Sequence, residues 1–154
     1  MWAQGDYTAV AQFLEPCAIK LADLCHVRAG MKVLDVAAGN GNFALAAARR
    51  GAKVTACDLT PKMVELGRAR GAADGSHLEW IEGDAEQLPF SDASFDLVAS
   101  VFGAMFAPQP QRVASELFRV CGSGGLDVLD KTRDRLDDHP DVGAKAVEQR
   151  GQAV

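Results

Sequence analysis

Val33-Leu34-Asp35-Val36-Ala37-Ala38-Gly39-Asn40-Gly41-Asn42 decides the fold of this 154-residue chain, because an apolar strand-like run breaks there into a glycine turn just ahead of an Ala- and Leu-rich helical run. Glycines let a backbone turn tightly and approach a ligand closely, and a helix that follows directs unpaired N–H groups into the same space. A ligand is therefore expected over the turn. Asp35 breaks the apolar pattern of the strand. A carboxylate in such surroundings needs a partner, and it points to a ligand with a cationic part.

Working outward, Asn42 to Arg50 followed by Gly51 fits a helix with a glycine C-cap. Lys53-Val54-Thr55-Ala56-Cys57 reads as a second strand ending at Asp58, after which Thr60-Pro61 supplies an N-cap and a first-turn proline for a helix to about Arg70. Gly71 to Ser76 reads as a loop, Leu78 to Ile81 as a third strand and Phe95 to Val101 as a fourth. Pro108 and Pro110 lead into a helix from about Gln111 to Cys121. On the N-terminal side, Val10, Phe13, Leu14, Ile19, Leu21, Leu24 and Cys25 recur at helical spacing, interrupted by Pro16, which implies one or two helices before the first strand.

This alternation predicts an α/β fold, a Rossmann-like parallel sheet with helices on both faces. Ligands of such sheets bind beyond the carboxyl ends of the strands, where Gly39 and Gly41, Asp58 and Asp84 all fall. Asp58 lies where a carboxylate accepts from both hydroxyls of a ribose. Asp84 is placed to accept from an exocyclic adenine amine while Ala85 offers its backbone N–H. With Asp35, these acids describe an adenosine carrying a cationic appendage.

Val33-Leu34-Asp35 with Gly39 and Gly41, then Asp58, Gly83-Asp84-Ala85, Leu88-Pro89-Phe90 and Phe95-Asp96, in that order, resembles a class I S-adenosylmethionine-dependent methyltransferase of the ubiquinone/menaquinone-biosynthesis-like small-molecule group. The resemblance covers about residues 5 to 125. It implies S-adenosyl-L-methionine as cofactor, with the Gly39–Gly41 turn against its methionine part and Asp35 holding the amino group. It further implies Asp58 on the ribose, Asp84 and Ala85 on the adenine, and Leu59 and Met63 packed against that ring. Ser100-Val101-Phe102 would line the methionine and methyl side, and Tyr7 would close over the cofactor. Ala37 stands where the family usually has glycine, and cofactor binding is expected to tolerate it.

Two other readings share these residues. Gly39-x-Gly41-x-x-Ala44 also satisfies a dinucleotide fingerprint, which would make the chain an oxidoreductase, but Asp35 beside the turn would repel a pyrophosphate and attract a sulfonium or ammonium. The second is a cofactor-binding remnant or regulatory module without efficient turnover. The family continues with a basic-Pro-Gly-Gly turn and sixth and seventh strands, whereas Gly122-Ser123-Gly124-Gly125 replaces that turn here and no later segment has the apolar pattern of two more strands. Five strands are therefore expected. Residues 1–130 are expected to form the cofactor-binding domain and 131–154 a charged, weakly structured tail. The sheet edge exposed by this arrangement predicts a homodimer.

Composition bounds the rest. A net charge of -5 gives no basic surface for nucleic acid, and the four scattered cysteines suggest reduced core thiols rather than a disulfide frame or a metal centre. Asp137-Asp138-His139-Pro140-Asp141 reads as a solvated acidic turn. With neither a secretory leader nor a membrane-length apolar run, a cytoplasmic protein acting on a small-molecule substrate is expected.

Overall fold

A computed structural model describes residues 7–129 and 146–147, with side chains described from Val10 to Ser123. Five parallel strands, β1 (Lys32–Val36), β2 (Lys53–Asp58), β3 (Leu78–Glu82), β4 (Phe95–Ser100) and β5 (Cys121–Leu129), form the sheet. The two-residue β6 (Ala146–Val147) adds antiparallel to β5, and the strand order is β3-β2-β1-β4-β5-β6. The order reverses between β1 and β4. Their carboxyl ends therefore flank the crevice at which such sheets take ligands.

Helices cover both faces. α1 (Tyr7–Leu24), α2 (Asn42–Ala48) and α3 (Pro61–Asp74) lie on one, where Ala18, Leu21 and Ala22 of α1 and Phe43, Ala46 and Ala47 of α2 pack with Val33, Leu97 and Trp80 of the strands. α4 (Pro110–Val120) covers the other with Val113, Leu117 and Val120, at helical spacing, against Leu34, Val36 and Val98. Along β1 the side chains alternate between these cores. Asp35 thus shares the α2 side with Val33.

Several boundaries differ from the sequence reading. Of the one or two helices expected before the first strand, there is one, α1, continuous through Pro16. α3 runs beyond Arg70 to Asp74, so Gly71 is helical and the turn begins at Gly75, which caps the helix with φ +72°. Gly122 to Gly125 do not precede the fifth strand but lie within it. Phe95 pairs with Cys121 and Leu97 with Leu126, so these glycines are taken up as an irregularity in the ladder. Ala146–Val147 falls in the segment expected to be weakly structured and pairs with Asp127 and Val128. The acidic turn at Asp137–Asp141 lies outside the described residues. Among the described residues, no helix is long and apolar enough to cross a membrane.

Candidate functional site

The ends of β1, β2 and β4, the segment after β3 and the N-terminal half of α1 enclose a cavity of about 500 Å³. That volume suits one small organic ligand. Three carboxylates, Asp35, Asp58 and Asp84, line it, together with apolar groups such as Leu14, Met63, Val101 and Phe106, and among the described residues no Lys, Arg or His joins them.

Each acid is held by backbone amides. Asp35 is 2% exposed, and its Oδ2 accepts from the Ala44 N–H at 3.0 Å. Burial pushes its carboxyl up to about 8; the Ala44 bond opposes the shift and the nearby Asp58 charge adds to it. The Asp58 Oδ2 accepts from Gly39 N–H at 2.7 Å and its Oδ1 from Thr60 N–H at 2.9 Å, so one side chain ties the tip of β2 to the β1 turn. Asp84 accepts from Glu86 N–H at 2.9 Å through Oδ1, which closes a tight turn at the cavity wall. Thus the N–H groups of Gly39 and Ala44 are already spent on the site's own acids.

Asp35, Ala37, Gly39, Asp58, Leu59, Met63, Asp84 and Ala85 all line the cavity. Ala37 adopts φ +54°, the left-handed region that favours glycine, and the backbone passes so close above it that a Cβ on Gly103 would lie 2.2 Å from the Ala37 carbonyl oxygen. Gly41 is not in the lining. Its φ of +89° opens α2, and a Cβ there would meet the Trp80 ring at 2.7 Å. Ser100 is also behind the wall, 1% exposed, where its Oγ accepts from Ala104 N–H at 3.1 Å and so anchors the short 3-10 turn Gly103–Phe106. Its neighbours Val101 and Phe102 do reach the cavity. Tyr7 opens α1, and its side chain lies outside the described residues.

Sequence reasoning missed Asn40 and Asn42, both in the lining, and Arg70, which bonds the two amides from α3. Polar residues within a glycine turn read as generic turn formers. The helical guanidinium that engages them is distant in sequence.

The sequence pattern of a family described as a methyltransferase domain matches residues 34–129. An uncharacterized protein of Mycobacterium tuberculosis is 52% identical over 126 residues, covering 81% of this chain and 46% of that protein. A demethylmenaquinone methyltransferase of Clavibacter sepedonicus is 43% identical over 101 residues, covering 66% of this chain and 41% of its own length. Among solved structures, an arsenic(III) S-adenosylmethionine methyltransferase from Chlamydomonas reinhardtii superimposes with a TM-score of 0.61 at 34% identity, over 66% of this chain and 38% of that one. The chain thus spans about half the length, or less, of the curated relatives it matches.

Proposed function

Since the chain belongs to the methyltransferase domain family and S-adenosylmethionine is its cofactor, we propose that it transfers a methyl group to an uncharged small-molecule acceptor. The observation that carries this reading is Asp35, a buried acid in the cavity lining with one backbone donor and, among the described residues, no basic side chain around it. Such a group is matched by a cation, and the cofactor has two, an ammonium and a sulfonium. A pyrophosphate anion would oppose ionisation of Asp35 where the cationic cofactor favours it, which argues against the oxidoreductase reading.

In this assignment Asp35 faces the amino group of the methionine end, with Ala37 and Gly39 against that end. Asp58 takes the ribose; both its oxygens already accept one backbone N–H, and each retains a second lone pair. Asp84 and Ala85 take the adenine edge, with Leu59 and Met63 packed on the ring. Held by Asp35, Asp58 and Asp84, the cofactor would supply a methyl group activated by its sulfonium, with the neutral thioether as leaving group. The protein's part is alignment and water exclusion. Val10, Met105 and Phe106, on α1 and the 3-10 turn, line the cavity and are 51%, 39% and 57% exposed, which gives an incoming acceptor an apolar mouth.

Calorimetry with S-adenosylmethionine and S-adenosylhomocysteine tests the cofactor site. The parent protein is expected to bind both, and Asp58→Ala to weaken both by about 100-fold, the loss of two charge-assisted contacts. Failure of the parent to bind either ligand would overturn the reading. Product formation across phenolic, quinol and amine acceptors then separates an active transferase from a module that binds cofactor without turnover.

A further inference from the structure

We propose that Arg70 is a positioning residue for the methionine end of the cofactor, locking the glycine turn and the α1 wall of the cavity into one frame. The inference rests on the cofactor reading above. Arg70 stands on α3, outside the cavity lining, yet its guanidinium reaches both polar side chains of the turn. Nη1 donates to Asn40 Oδ1 at 3.3 Å and to Asn42 Oδ1. Nη2 pairs with Glu15 Oε1 of α1 at 3.2 Å. Asn42 completes the circuit by donating from Nδ2 to the Ala11 carbonyl of α1 at 2.7 Å.

The chemistry makes this more than a surface ion pair. Asn42 has one acceptor end and one donor end; Arg70 takes the first and α1 the second, so the guanidinium sets which way the amide faces. A fork with several fixed donors can hold two amides and a carboxylate at once, which an ammonium point charge cannot. Asn40, Asn42 and Ala11 line the cavity, and Asn40 is 9% exposed, so movement of this circuit is felt at the ligand wall. The Arg70–Glu15 pair itself is partly exposed, at 27% and 29%, and pairs of that kind contribute little to stability. Loss of Arg70 therefore acts mainly on the geometry of the turn.

Arg49 provides the comparison. It also pairs with Glu15, at 3.5 Å, but its other bonds run to Asp74, away from the turn.

The test uses two probes that share adenosine and differ in the amino-acid end, S-adenosylhomocysteine and 5′-methylthioadenosine, titrated calorimetrically into the full chain. Arg70→Ala is expected to weaken S-adenosylhomocysteine about tenfold, the equivalent of one charge-assisted contact, while 5′-methylthioadenosine stays within about twofold. Arg70→Lys, which keeps the charge opposite Glu15 but loses the fork, is expected to recover only part of that loss, and Arg49→Ala to leave both affinities unchanged. Retained 5′-methylthioadenosine binding also reports that the variant is folded. Equal weakening of both probes by Arg70→Ala, or weakening of neither, would overturn the proposal. A parent protein that binds neither probe, or only one, counts instead against the cofactor reading.

Discussion

Asp35 has opposite effects on the empty and the filled site, and its titration exposes the conflict. Burial raises its folded-state pKa to about 8, whereas in the unfolded chain it ionises near the ordinary carboxylate value of 3.8. Below about pH 4 both states hold the proton and the carboxyl imposes no penalty. Between about 4 and 8 the unfolded chain has lost its proton and the folded chain keeps it, so stability of the free protein falls as pH rises, and it levels off above 8. Each unit of separation is worth about 1.4 kcal/mol. A bound cation favours the ionised carboxylate, so cofactor binding near pH 6.5 expels a proton, and affinity strengthens with pH towards 8. Calorimetry of S-adenosylhomocysteine binding in buffers of different ionisation enthalpy is expected to show release of close to one proton at pH 6.5. In Asp35→Asn the release disappears and affinity drops, while the free protein gains stability at pH 8. A pH-independent affinity in the parent would contradict this. Asp35 was legible as an acid in an apolar strand. The structural role of Ser100 was not, because a serine at a strand end reads the same whether its hydroxyl meets a ligand or, as here, the Ala104 amide.

Between elements, the glycine turn is set by Trp80 of β3 packing beneath it. The ring fills the space left by Gly41 at the start of α2 and by Gly67 in the middle of α3, where an added Cβ would lie 2.1 Å from the ring. Helix-interior glycine is ordinarily unfavourable by about 1 kcal/mol relative to alanine, so alanine would be better at Gly67 on propensity alone. Packing decides otherwise: Gly67→Ala is expected to destabilise by about 1–3 kcal/mol, the usual cost of overfilling a core. Chemical denaturation should show a lower midpoint with an unchanged slope. Trp80→Phe, which removes part of the colliding ring, should restore some of the loss in the double variant. Additive effects would show that the two residues do not meet. The central strands, the β1 turn and the helix starts were readable because periodicity and caps are local signals. The end of α3 was misread because Gly71 looks like a turn residue, whereas it is buried with its missing side chain facing Leu78 at 3.0 Å. A glycine required by close approach and one required by a turn have the same letter.

At the scale of the molecule, the sheet has one long strand whose outer edge is barely paired. β5 spans nine residues, and among the described residues β6 pairs with two of them, Asp127 and Val128. The centre of the parallel sheet was legible because β1, β2 and β4 are buried along most of their length and read as largely apolar runs; the β5–β6 ladder was not, since a two-residue strand amid charged residues carries no periodicity. An unpaired edge presents backbone donors and acceptors that another chain can pair with, and a second copy of this chain offers the same edge, which favours a two-fold pairing of β5 with β5. The expected behaviour is a monomer–dimer equilibrium that shifts with concentration in sedimentation velocity. Deleting residues 146–154 removes β6 and uncovers Asp127 and Val128, so the dimer is expected to form at lower concentration, with the proposed cofactor site at the carboxyl-end crevice between β1 and β4 unaffected. Unchanged S-adenosylhomocysteine affinity in the shortened chain would verify that its fold is intact. Weaker association after the deletion would place the contact on β6 or the tail, and a monomer at all concentrations in both chains would show that the β5 edge does not self-pair.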